Sequence, residues 1–117
     1  MSTAVKNLQP TELWNHFADL NAVPRGSKKE EKVIVFIKNF GEKLGLKTIV
    51  DEVGNVIIYK PASAGMEHLT TIVLQSHLDM VHQKNATTNF NFDTQGIEML
   101  VDGDWVRSHG LSKRQKL

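Results

Sequence analysis

The chain has 117 residues, with 14 Lys or Arg against 13 Asp or Glu and a net charge of +1. That length allows one small domain at most, and that balance implies no nucleic acid or other polyanion as partner. Apolar residues make up 40%, enough for a core and too many for a disordered chain. The absence of cysteine excludes disulfides and thiolate metal sites. No apolar signal core opens the chain and no apolar run is long enough to span a bilayer, so the expectation is a cytoplasmic protein without membrane contact.

Pro10 to Asn21 reads as a short helix, with proline suited to the first turn and Leu13, Trp14, Phe17 and Leu20 on one side. Pro24 and Gly26 punctuate the break that follows. Ser27-Lys28-Lys29-Glu30 has the pattern of a capping box, in which a hydroxyl and a carboxylate satisfy free amides reciprocally. A second helix is expected from there to about Leu44, with Val33, Ile37, Phe40 and Leu44 as its apolar stripe, widened by Ile34 and Phe36. Gly45 is a plausible stop. Leu46 to Glu52 and Asn55 to Tyr59 read as a β-hairpin around Gly54-Asn55, and Pro61 to His68 as a loop.

Thr70 to Ser76, with its β-branched apolar centre Thr71 to Leu74, reads as a buried strand. Val81 to Asn91 is polar and without period. Glu98 to Val101 and Trp105 to Ser108 suggest a second hairpin across Asp102-Gly103-Asp104. Lys113-Arg114-Gln115-Lys116 reads as a solvated, frayed tail. The order of two helices, a hairpin, a buried strand and a second hairpin is that of an α/β domain whose sheet is incomplete.

The strand of residues 70–76 leads into His77-Leu78-Asp79. Side chains two apart in an extended segment point the same way, so His77 and Asp79 should project together. Strand C-terminal ends are where open α/β sheets bind ligands. An imidazole beside a carboxylate is a metal-ligating unit, in which one group binds and the other orients it. The structural alternatives are a histidine that only packs beside the strand and a carboxylate that caps loop amides.

The segment Val73-Leu74-Gln75-Ser76-His77-Leu78-Asp79-Met80-Val81-His82-Gln83-Lys84-Asn85 resembles the first metal-site motif of the aminoacyl-histidine dipeptidases. These are dizinc metallopeptidases of the aminoacylase/carboxypeptidase family. The resemblance runs from about Leu8 to Val106. It includes Pro10-Thr11-Glu12-Leu13-Trp14, Val23-Pro24-Arg25, Glu30-Glu31 and Asp51-Glu52-Val53-Gly54-Asn55-Val56-Ile57-Ile58. Lys60-Pro61-Ala62, Gly65-Met66-Glu67 and Asp102-Gly103-Asp104-Trp105-Val106 continue it in order. Ser76 stands where relatives often carry glycine. After Val106 the family continues to a Gly-Ala-Asp-Asn-Gly-like motif whose aspartate bridges the metals. This chain instead reads Arg107-Ser108-His109-Gly110-Leu111-Ser112-Lys113-Arg114-Gln115-Lys116-Leu117.

The resemblance implies the start of a zinc-peptidase catalytic domain, spanning residues 1–117 with a departing tail at 107–117. It implies hydrolysis of Xaa-His dipeptides by a metal-activated water, with His77 as metal ligand and Asp79 as its catalytic partner. Two zinc ions serve the intact family. The bridging aspartate, the paired glutamates and the distant histidine of that family have no counterpart here. The expectation is therefore an N-terminal fragment, inactive by itself, that holds zinc weakly or not at all. A non-catalytic remnant and a hydrolase of another small amide are the competing readings. An incomplete sheet would leave an exposed edge through which the chain could associate with itself.

Other candidate residues take structural readings. His82 follows the motif and is expected to make solvent or loop contacts. His16 and His68 carry no motif, and His109 falls where the resemblance has ended. Asp102 and Asp104 flank a turn glycine. Glu30 and Glu31 belong to a helical first turn, and Trp14 and Trp105 to packing.

Overall fold

The computed structural model describes residues 2–111 and 114–116. Three helices come first: α1 (Ser2–Lys6), α2 (Thr11–Asn21) and α3 (Glu31–Lys43). Five short strands follow: β1 (Lys47–Val50), β2 (Val56–Tyr59), β3 (Met99–Asp102), β4 (Trp105–Ser108) and β5 (Arg114–Lys116). They form two antiparallel sheets, β1-β2 and β3-β4-β5. The result is a partial α/β domain.

Both hairpins lie where local turn chemistry puts them. Asp51 accepts from the amides of Val53 and Asn55 and from the Asn55 side chain, while Gly54 takes φ 92°, which a side chain would resist. The register then runs from Val50 opposite Val56 to Lys47 opposite Tyr59. Gly103 at φ 58° turns β3 into β4, pairing Asp102 with Trp105.

α2 buries Trp14, Ala18 and Asn21, spaced by four and three residues, which is one side of a helix. With Val5 of α1, Met99 of β3 and Val106 of β4 the apolar members close the main core; Leu8, Phe17 and Ile97 pack around it. The expected α2 stripe is thus rotated: Leu13 is exposed. α3 lies on the β1-β2 hairpin. Val33 is wholly buried, and Gly41 is packed so closely that a Cβ there would stand 2.2 Å from Thr48 Oγ1. Phe40 and Leu44, at the far end of the expected stripe, stay exposed.

Several expectations are corrected. The Thr70–Ser76 segment is not a buried strand. It pairs with no other strand among the described residues, and Ile72, Val73 and Leu74 are 82%, 83% and 93% exposed. A strand exists only through its hydrogen-bonded neighbours, and here the neighbours are not among the described residues. Ser27 does not cap α3. Glu30 occupies the cap position, without a side-chain cap bond. The basic tail is not frayed: Arg114 to Lys116 pair with β4, Gln115 standing opposite Val106. Ser112, Lys113 and Leu117 lie outside the described residues. α1 was not foreseen, because five residues are too few to show a helical period.

Candidate metal-ligand site

His77 and Asp79 meet side by side. His77 Nδ1 lies 2.9 Å from Asp79 Oδ1 and 3.0 Å from the Asp79 carbonyl oxygen. Both neighbours are acceptors, so Nδ1 carries the proton and donates. Nε2 is left with its lone pair. The His77 side chain is 82% exposed against 31% for Asp79, so the imidazole stands in solvent with the carboxylate behind it. That is the arrangement of a metal-ligating histidine whose other nitrogen is held by a carboxylate.

The unit is anchored to the turn between α2 and α3 and not to a strand ladder. Met80 N–H donates to the Arg25 carbonyl at 2.8 Å, and Ser27 N–H donates to the Met80 carbonyl at 3.1 Å. These two bonds make a short parallel bridge between Gly26 and Met80. Arg25 adds a clamp. One guanidinium nitrogen donates to the Leu78 carbonyl at 3.1 Å and the other to Asn21 Oδ1 at 2.7 Å. Asn21 is buried, its own amide reaching Met99 Sδ, so the clamp is tied to the main core. Burial pushes the Arg25 pKa down, and the nearby charge of Asp79 acts the other way.

The Ser27 hydroxyl donates to Asp79 Oδ2. This bond, then the one from His77, holds the Asp79 carboxyl below the ordinary aspartate range. Asp79 is thus a carboxylate with both oxygens occupied. Sequence reasoning missed Ser27 and Arg25 as neighbours of the pair. The Ser-x-x-Glu pattern that suggested a cap was the signal that hid Ser27.

The remaining candidates lie elsewhere. Asp102 pairs with Arg107 at 2.8 Å across its hairpin. His109 faces Glu98, and His16 packs edge-on against Phe40. His82 makes the expected loop contact, stacked on Phe92 with ring centroids 4.7 Å apart. Glu30 accepts from the Lys28 amide within its own turn. Among the described residues no three His, Cys, Asp or Glu side chains are grouped so as to hold a metal ion. The donor set therefore fits one ligand with its orienting carboxylate, short of the three protein ligands that a catalytic zinc normally takes. No described helix is long and apolar enough to cross a membrane.

Comparison with known proteins gives two matches. The chain is 41% identical over 108 residues to the cytosol non-specific dipeptidase of Escherichia coli (strain K12), a match covering 92% of this chain and 22% of that protein. The crystal structure of aminoacylhistidine dipeptidase from Vibrio alginolyticus matches with a TM-score of 0.85 at 38% identity, over 89% of this chain and 21% of that one. The chain resembles one part of an aminoacyl-histidine dipeptidase. It spans about a fifth of the length of these relatives. No protein-family model matches it. The agreement in fold covers 89% of this chain.

Proposed function

We propose that this chain is part of a metal-dependent dipeptidase of the cytoplasm that hydrolyses small dipeptides, Xaa-His among them, with zinc as its metal. His77 supplies one ligand through Nε2, and Asp79 holds the ring in the tautomer that leaves Nε2 free. The observation that carries this reading is the 2.9 Å contact between His77 Nδ1 and Asp79 Oδ1, with the imidazole exposed. When bound, the metal acidifies a water molecule and polarises the peptide carbonyl. The described residues hold no third ligand grouped with this pair, so the 117 residues alone are expected to turn over no dipeptide.

A chimera tests the reading. This chain replaces the matching segment of the Escherichia coli dipeptidase, and the product is assayed on an Xaa-His dipeptide with and without chelator. Chelator-sensitive hydrolysis is expected. His77→Ala should abolish it, and Asp79→Asn should lower it by about 10- to 100-fold. A chimera that keeps full activity after His77→Ala would refute the assignment.

A further inference from the structure

We propose that Ser27 is a positioning residue for this site: its hydroxyl fixes the Asp79 carboxylate, and through it the tautomer and direction of the His77 imidazole. The proposal rests on the reading of His77 and Asp79 given above.

A carboxylate that meets an imidazole at one oxygen is free to rotate about its terminal torsion, which is broad and two-fold. Asp79 is not free. Oδ2 accepts from Ser27 Oγ while Oδ1 accepts from His77 Nδ1. The two bonds leave opposite sides of the same group. Ser27 is half-buried, and His77 is exposed. Rotation of the carboxylate would break both at once.

Ser27 is itself held. Its N–H bonds the Met80 carbonyl, one residue past Asp79, and the Met80 N–H bonds Arg25, two residues before Ser27. The backbone around the hydroxyl is thus registered directly against the backbone around the carboxylate. The chain also bends sharply straight after it. Lys28 takes φ 67°, a left-handed conformation that costs a residue with a side chain roughly 1–2 kcal/mol. The Lys28 amide bonds Glu30 Oε1 at 2.7 Å, which supports the bend.

The helix does not use the hydroxyl. A serine just ahead of a helix ordinarily caps free amides, yet α3 starts at Glu31 without a side-chain cap bond. Its shorter bond is to the carboxylate fifty-two positions away, with the Met80 carbonyl at 3.4 Å. Carboxylates behind a ligating histidine are themselves hydrogen-bonded in metal sites, and losing such outer partners weakens metal binding.

The test follows the His77 ring nitrogens by NMR in the 15N-labelled 117-residue chain, at about pH 8.5 where a histidine of ordinary pKa is neutral. Ser27→Thr and Ser27→Val have similar bulk and differ in the hydroxyl. The expected result is an Nδ1–H tautomer in the unmodified chain and in Ser27→Thr, and a partial shift toward Nε2–H in Ser27→Val, partial because the Asp79 carbonyl also accepts from Nδ1. Zinc added to the same samples should show apparent affinity at His77 about ten-fold weaker for Ser27→Val than for Ser27→Thr. Equal tautomer populations in the Thr and Val variants would overturn the proposal. Asp79→Asn separates the two levels. If it shifts the tautomer while Ser27→Val does not, the role of Ser27 fails alone. If Asp79→Asn leaves both the tautomer and the zinc affinity at His77 unchanged, the His77–Asp79 reading fails with it.

Discussion

Gly26 lies against the imidazole of His82 so closely that a Cβ on Gly26 would stand 1.5 Å from Nε2. The ring has little reason to move, since it stacks on Phe92 and Phe92 packs on Phe90. Gly26→Ala must therefore break the stack or push the Arg25–Ser27 turn away from Met80. Overpacking of this kind costs about 1–3 kcal/mol. The denaturant midpoint should fall, and the Met80 amide should exchange faster with solvent. Adding His82→Ala should restore most of the loss, because the clash is then gone. An unchanged midpoint and unchanged Met80 exchange in Gly26→Ala would contradict this packing.

Arg25 joins the site to the core. Arg25→Met keeps the bulk and removes both donors, leaving Leu78 O and the buried Asn21 Oδ1 without them. A buried acceptor left unpaired costs about 1–3 kcal/mol. Relief of the half-buried charge offsets part of this, and the net expectation is a loss of about 1–2 kcal/mol. Arg25→Lys should recover little, since an ammonium does not span two acceptors as the guanidinium fork does. Urea unfolding of the three proteins checks the order, and an Arg25→Met protein as stable as the parent would refute it.

The β1-β2 turn should respond to acid. The Asn55 side chain and then the Asn55 amide hold the Asp51 carboxyl below its ordinary range. A depressed folded-state pKa contributes stability that is present above the unfolded value and is lost as the pH falls through the lower folded one. The hairpin should therefore loosen at pH below the ordinary aspartate range, followed by NMR at the Val53 and Asn55 amides. Asp51→Ala should loosen it already at neutral pH and remove the acid step. An acid step that persists in Asp51→Ala would show that another group carries it.

The run Ile72-Val73-Leu74 presents three large apolar side chains to solvent. Contiguous exposed apolar surface favours association. The 117-residue chain should sediment as concentration-dependent oligomers, and Val73→Lys with Leu74→Lys should shift it toward monomer. A monomer at high concentration before any substitution would contradict this.

Legibility in the sequence followed the distance over which each feature is determined. The hairpins at Gly54 and Gly103 are written in neighbouring residues, and both stand where the turn residues put them. The two longer helices followed from spacing, though Leu13 and Leu44 show that spacing alone does not say which edge of a stripe is covered. His77 and Asp79, two residues apart, were found as a pair for the same local reason. The segment 70–76 was misread because β-branched apolar residues state a preference for burial without supplying the strands that would satisfy it. Ser27 was misread because Ser-x-x-Glu describes a cap equally well, and nothing nearby says that the hydroxyl is taken by Asp79. The pairing of β5 with β4 is likewise non-local, and a short basic segment gives no sign of it.

In the proposed site His77, and not another histidine, faces the metal. Zinc titrated into the 15N-labelled chain, with the ring nitrogens of all five histidines followed by NMR, shows which of them binds first. His77 Nε2 should respond at the lowest zinc concentration, with Nδ1 keeping its proton, and Asp79→Asn should weaken this response by about 10-fold or more. A His77 ring that stays unchanged while His16, His68, His82 or His109 shifts first would contradict it.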